Sequence, residues 1–185
     1  MKFLKSHQNR GFTLVELLVV ISIISLLSSV VLSALNSARA KGRDARRKSD
    51  IHQIQLALEL YYDANGSYPP SPAYALPGTQ PNNAWDNSAD ASWTNLQAAL
   101  SPYIKTLPKD PLENNNAAEW GQGAYHYSYF SNGYGCNGLW YMFVFTLEKT
   151  DGRPDPSVTA CDGTNFQYGG NGATSTTKTV GMVAR

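Results

Sequence analysis

The residue that asks most of its surroundings is Glu16. It is the one charged residue between positions 11 and 38, and the 19 residues that follow it, 17–35, are uncharged. A carboxylate at the head of an apolar run is expensive to bury unless it is paired or neutralised. Directly around it stands Arg10-Gly11-Phe12-Thr13-Leu14-Val15-Glu16, after a short polar start carrying Lys2 and Lys5. A cut after Gly11 would create an α-amino group on Phe12, with a reference pKa of about 8 and therefore largely cationic at neutral pH. That cation would lie one helical turn from Glu16 of its own chain, or beside Glu16 of a neighbour in an assembly. The chemistry on offer is ion pairing in an apolar phase.

Other reactive residue types are sparse. Ser22, Ser25, Ser29 and Ser33, continued by Asn36, step by three or four along the apolar run and form one small polar stripe. Such a stripe lets helices approach and bond across a seam; equally, each serine can bond a carbonyl of its own helix. Cys136 and Cys161 pair in an oxidising compartment or stay as buried thiols; the apolar run argues for export and so for the bridge. His7, His52 and His126 have no Cys/His metal spacing around them, and no phosphate loop or nucleophile elbow is present. His126, between tyrosines, reads as packing. No enzyme is expected.

These residues need positioning elements. Residues 17–35 contain no Pro or Gly, and at about 1.5 Å per residue they nearly match a hydrocarbon core of roughly 30 Å. A helix satisfies its own backbone there. Beyond it Ile51, Ile54, Leu58 and Tyr61 recur at helical spacing, widened by Leu56, Leu60 and Tyr62. Asn65-Gly66 then gives a stop and Tyr68-Pro69-Pro70 enforces it. One helix of roughly fifty residues, about 80 Å long, is expected. The organisation is a leader at 1–11, a membrane and polymerisation helix at 12–38, an amphipathic continuation at 39–65 and a globular head at 66–185.

In the head, 69–89 reads as a loop and 92–103 as a short helix with Trp93, Leu96, Leu100 and Tyr103 on one side. Leu107-Pro108-Lys109-Asp110-Pro111 must be irregular or extended between its prolines, and 113–123 is another loop. Tyr125, Tyr127 and Tyr129 alternate with polar residues, while 139–147 is aromatic and β-branched on both faces; the Asn- and Gly-rich link between them predicts a hairpin. A last strand is expected at 180–183, after an irregular stretch at 151–178. The fold class is α+β, a long helix laid on a small antiparallel sheet.

The chain's 15 basic and 14 acidic residues leave a net charge of +1, which points to no polyelectrolyte partner. Their distribution matters more. Residues 39–48 hold six basic residues and one acid, whereas 66–185 holds six basic and nine acidic. This basic collar reads as a phospholipid contact or a solvated face, with DNA as a third reading. By the positive-inside rule, a collar richer than the leader would keep the head in the cytoplasm; the motif at 10–16 argues the opposite and is given precedence.

That motif resembles the class III signal of type IV prepilins and type II secretion pseudopilins. The resemblance covers 10–35 closely. It implies that a prepilin peptidase in the membrane cuts between Gly11 and Phe12 and methylates the nitrogen of Phe12. It also implies that Glu16 recruits and registers subunits. The expected product is a single-pass cytoplasmic-membrane precursor that joins an extracytoplasmic homo- or hetero-oligomeric filament through pilus or secretion assembly machinery. Asn65-Gly66-Ser67-Tyr68-Pro69 and the 107–111 segment are similar to segments of major pseudopilins. The C-terminal region departs from that pattern. Pseudopilins carry an ordered Asp- and Gly-rich calcium loop, whereas this chain offers only Asp151-Gly152-Arg153-Pro154-Asp155 and Asp162. No cofactor is expected, with calcium as the alternative. The segment between Cys136 and Cys161 looks more like the disulfide-bounded region of true pilins. Two other readings stand beside the filament subunit. One is a minor, competence-type pilin whose head binds DNA or another ligand. The other is an ordinary secreted or anchored domain, with Ala38-Arg39-Ala40 as a conventional cleavage site.

Overall fold

The computed structural model describes residues 12–71, 85–113, 124–169 and 175–183. The leader with Gly11, and nearly all of the loop expected at 113–123, lie outside the described residues. The chain divides into two compact units, Met1–Arg39 and Ala40–Arg185.

Helix α1 runs over Leu14–Asn65, 52 residues. Its start is a capping box: Thr13 precedes it and Glu16 stands three residues on, so orphan backbone donors are satisfied at once. It ends at Gly66, whose φ of 71° is left-handed and whose amide donates to Tyr62 O at 2.8 Å. That is the αL stop, and a side chain at Gly66 would resist it. From Leu14 to Asn36 the helix is exposed all round. From Ala40 onward it buries Ala40, Asp44, Arg47, Ile51, Ile54 and Leu58, spaced by three and four. The buried stripe is therefore ionic at its beginning and apolar at its end.

The head is a four-stranded antiparallel sheet in the order β1-β2-β3-β6. Its strands are β1 (Asp86–Asn87), β2 (Ser128–Phe130), β3 (Trp140–Thr146) and β6 (Thr177–Val183). Strand β3 is buried along its whole length, which explains its lack of alternation. Tyr141, Phe143 and Phe145 face a core shared with Ile51, Ile54 and Leu58 of α1. The same core takes Trp93, Leu96 and Leu100 of the short helix α2 (Trp93–Leu100). Trp140 and Met142 face a second cluster with Phe130, Cys136 and Val158. Each fully buried side chain of this size contributes roughly 1.5–3 kcal/mol.

The 92–103 helix and the β2–β3 hairpin match the sequence reading, with three differences. The 69–89 segment is not all loop, because β1 pairs Asp86 with Tyr129 and Asn87 with Ser128. The tyrosine alternation enters the ladder only at Ser128; before it, Ser88 takes over. Ser88 N donates to Tyr127 O at 2.9 Å, and Ser88 Oγ accepts from Tyr127 N at 2.9 Å. The 151–178 stretch carries a small hairpin, β4 (Val158–Thr159) with β5 (Asn165–Phe166), and the first residues of β6. Strand β6 begins at Thr177 because it follows β3 residue for residue, from Thr146↔Thr177 to Trp140↔Val183. Gly181 lies opposite Met142, where a Cβ would meet Tyr141 O at 2.1 Å.

Candidate functional site

At the N-terminus of α1, Thr13 N and Thr13 Oγ1 both donate to Glu16 Oε2, at 2.9 and 2.7 Å, and Glu16 N donates to Thr13 Oγ1 at 3.2 Å. One carboxylate oxygen is thus spent on the helix start. Oε1 keeps no hydrogen bond among the described residues. Phe12 is 89% exposed, and every large apolar side chain from Leu14 to Leu35 is exposed as well. A contiguous apolar surface of this extent requires lipid or other helices around it, and the helix is long and apolar enough to cross a membrane.

Three of the serines on this segment bond their own helix. Ser22 Oγ donates to Leu18 O at 2.7 Å, Ser25 Oγ to Ile21 O at 2.8 Å and Ser29 Oγ to Leu26 O at 2.8 Å. Ser33 is exposed on the same run. With their hydroxyls satisfied, these positions remain small and neutral, and a closely packed neighbour or a lipid tail can lie over them without stranding a donor.

The basic collar has a use that the sequence did not disclose. Arg47 has 0% exposure. Its Nε and Nη2 donate to the two oxygens of Asp110 at 2.7 and 2.9 Å, and its Nη1 donates to Asp44 at 2.7 Å and Glu148 at 2.9 Å. The guanidinium also lies 4.7 Å from the centre of the Tyr125 ring. Arg43 forks onto Glu148 at 2.7 and 2.6 Å. Asp44 closes the cluster by accepting the Glu148 and Lys149 amides at 2.8 and 3.0 Å. Lys48 pairs with Asp151 at 2.8 Å, and Arg46 reaches Asp50 at 3.6 Å. Four of the six collar cations are therefore held by acids, three of them by acids of the head. The Arg43 guanidinium, ahead of an opposing effect of burial, holds the Glu148 carboxyl below its usual range, with Arg47 adding to it. Burial works against the Arg47 charge, but its bonds to Asp110, Glu148 and Asp44 outweigh it and hold the group charged.

Asp110 sits in the 107–111 segment. Pro108 and Pro111 flank it, and the Leu112 amide donates to it at 2.8 Å, so the carboxylate is presented rather than merely near. The signal for this pairing was the charge complement between a basic collar and an acidic head.

At the other end of the sheet, Cys136 and Cys161 are joined in a disulfide that closes a separation of 25 residues. Asp155 is buried and accepts Thr179 N, Thr179 Oγ1 and Gly169 N at 2.5, 2.7 and 2.7 Å. Asp162 accepts the Thr164 amide at 2.9 Å beside the disulfide. His126 is buried, and burial lowers its pKa.

An exposed apolar helix with a capped glutamate at its head and an ionically docked small sheet defines a prepilin-type protein. The signature described as "Prokaryotic N-terminal methylation motif" matches residues 6–32. Similar proteins include the type II secretion system core protein G of Aeromonas hydrophila, 32% identical over 60% of this chain and 73% of that protein. Core protein G of Escherichia coli K12 is 33% identical over 60% of this chain and 71% of its own. That of Vibrio cholerae is 30% identical over 60% and 70%. No solved structure matches. The chain belongs to the type II secretion core protein G family of pseudopilins.

Proposed function

We propose that this protein is the structural subunit of a secretion-type filament, assembled from a membrane-anchored precursor through α1. In this reading a prepilin peptidase cuts between Gly11 and Phe12 and methylates Phe12. The helix at 12–38 leaves the bilayer to line the filament core, and the head faces outward from the cell. Glu16 of one subunit meets the amino group of Phe12 on the next. The observation that carries the reading is the half-used carboxylate of Glu16. Its Oε2 holds the capping box while Oε1 keeps no hydrogen bond among the described residues, at the edge of an apolar surface that needs a neighbour.

Two variants separate the cap from the charge. Glutamine also serves in a capping box, so Glu16→Gln keeps the helix start and removes only the anion, whereas Glu16→Ala removes both. We expect Glu16→Gln to be cut and methylated normally, as read by intact mass, yet to form no filaments by electron microscopy, like Glu16→Ala. Filaments at wild-type abundance from Glu16→Gln would refute the pairing role. A mature chain that does not begin at Phe12 would refute the processing step. The DNA-binding alternative draws less from the collar than its charge suggested, because Arg43, Arg47 and Lys48 are already paired with acids.

A further inference from the structure

Lys178 stands in the middle of β6, opposite Phe145, and is only 4% exposed. Lysine is almost never buried without a partner. Its Nζ donates to Arg153 O at 2.6 Å and pairs with Asp151 Oδ1 at 3.0 Å. Oδ2 of Asp151 accepts from Lys48 Nζ at 2.8 Å, and Oδ1 also accepts the Arg153 amide at 3.2 Å. One carboxylate therefore ties together α1, the loop after β3 and strand β6.

This loop contains the acids that a calcium ion would have to use. Calcium needs six to eight oxygens at about 2.3–2.6 Å. Both oxygens of Asp151 are on ammonium groups. Both oxygens of Asp155 are filled by Thr179 and Gly169. Asp162 is engaged at the disulfide, and no three His, Cys, Asp or Glu side chains gather as a metal set among the described residues. The residues present do not fit the ion. A carbonyl and a carboxylate converging on one buried point are nonetheless the surroundings a small cation wants, and the Lys178 ammonium supplies that cation covalently.

We propose that the ε-ammonium of Lys178 is the permanent cation of the C-terminal loop, held by Asp151 and the Arg153 carbonyl, and that it fixes the head without a divalent ion. The consequence is a head whose folding does not follow calcium concentration. The proposal concerns the single chain and is read without filaments, so it stands or falls apart from the assembly reading.

The test uses the full chain in detergent micelles. Its melting temperature is measured by near-UV circular dichroism in millimolar calcium and in chelator, and calcium is titrated calorimetrically. We expect the same melting temperature in both and no binding heat. Lys178→Met keeps the side-chain stem, leaves Asp151 with Lys48 and the Arg153 amide alone, and strands the Arg153 carbonyl; it should lower the melting temperature by roughly 10 °C. A wild-type melting temperature that falls in chelator and returns with calcium would overturn the proposal. So would Lys178→Met melting with the wild type. Should that variant not fold, the calcium titration of the wild type decides alone.

Discussion

Arg47 and Asp86 are both buried, and they differ in what meets them. Around Arg47 each guanidinium nitrogen has an acceptor: Asp110 takes two bonds, and Asp44 and Glu148 take one each. Removing Arg47 leaves the buried Asp110 carboxylate without its cation, while Glu148 keeps Arg43 and Asp44 keeps its two amides; stranding one buried charge costs about 3–5 kcal/mol. Arg47→Met should therefore lower the unfolding free energy by that amount in a urea titration. Asp110→Asn keeps an acceptor for one of the two bonds and should cost less. Asp86 is only 1% exposed and has no cation beside it among the described residues; Asn95 Nδ2 stands 3.5 Å away and Asp90 adds like charge. Burial pushes the Asp86 carboxyl up to about 7. A folded pKa above the unfolded one adds stability below the unfolded value and loses it as pH rises through the folded one. Stability should thus fall between about pH 4 and pH 7, by roughly 3 kcal/mol. Asp86→Asn should flatten that limb. The opposite slope appears on the acid side. Burial raises the Asp151 carboxyl, but Lys48, Lys178 and the Arg153 amide outweigh it and hold it well below the usual range. Its contribution is lost as pH falls through that depressed value, so stability should peak near about pH 4.

At the level of elements, the parts legible in the sequence are those that a single local cause decides. Helix α1 is set by an apolar run, a capping pair and a glycine stop, all local. Strand β3 is set by a short aromatic and β-branched run after the Asn137-Gly138 turn, which is also a local signal. The elements missed are held by side chains far away in sequence. Strand β1 is two residues long and exists because β2 offers it an edge. The start of β6 reads as polar, Thr177-Lys178-Thr179, yet all three are buried, because Asp155 accepts from Thr179 and Asp151 from Lys178. The role of the collar is hidden for the same reason: its acids lie some 63 to 105 positions away. The β4–β5 hairpin is too short to stand alone, and the Cys136–Cys161 bridge closes it onto the turn before β3. Closing a loop of this length is worth about 3 kcal/mol in the chain-entropy account. Replacing both cysteines by serine should lower the denaturation midpoint by a corresponding amount, and reductant should reproduce the shift in the unmodified protein.

At the scale of the whole molecule, the two units draw on different sources of stability. The unit at Ala40–Arg185 has its own aromatic core, disulfide and ionic cluster. In the other, residues 14–36 are exposed throughout, so their helix rests on backbone hydrogen bonds and on whatever apolar phase surrounds them. In a micelle those bonds have no competing water, and heat that melts a core held by hydrophobic burial has little leverage on them. The full chain in detergent should therefore lose its near-UV aromatic signal in one cooperative transition while keeping helical far-UV signal above it. The retained signal should correspond to roughly half of α1, since the half beyond Ala40 depends on burying Ile51, Ile54 and Leu58. A single transition that removed both signals together would mean that the apolar half takes its helicity from the head. Separate losses would mean that the polymerising helix stays formed while the head is open. In the proposed assembly, a subunit could then leave the bilayer with its α1 surface intact, whatever the folding state of the domain that follows it.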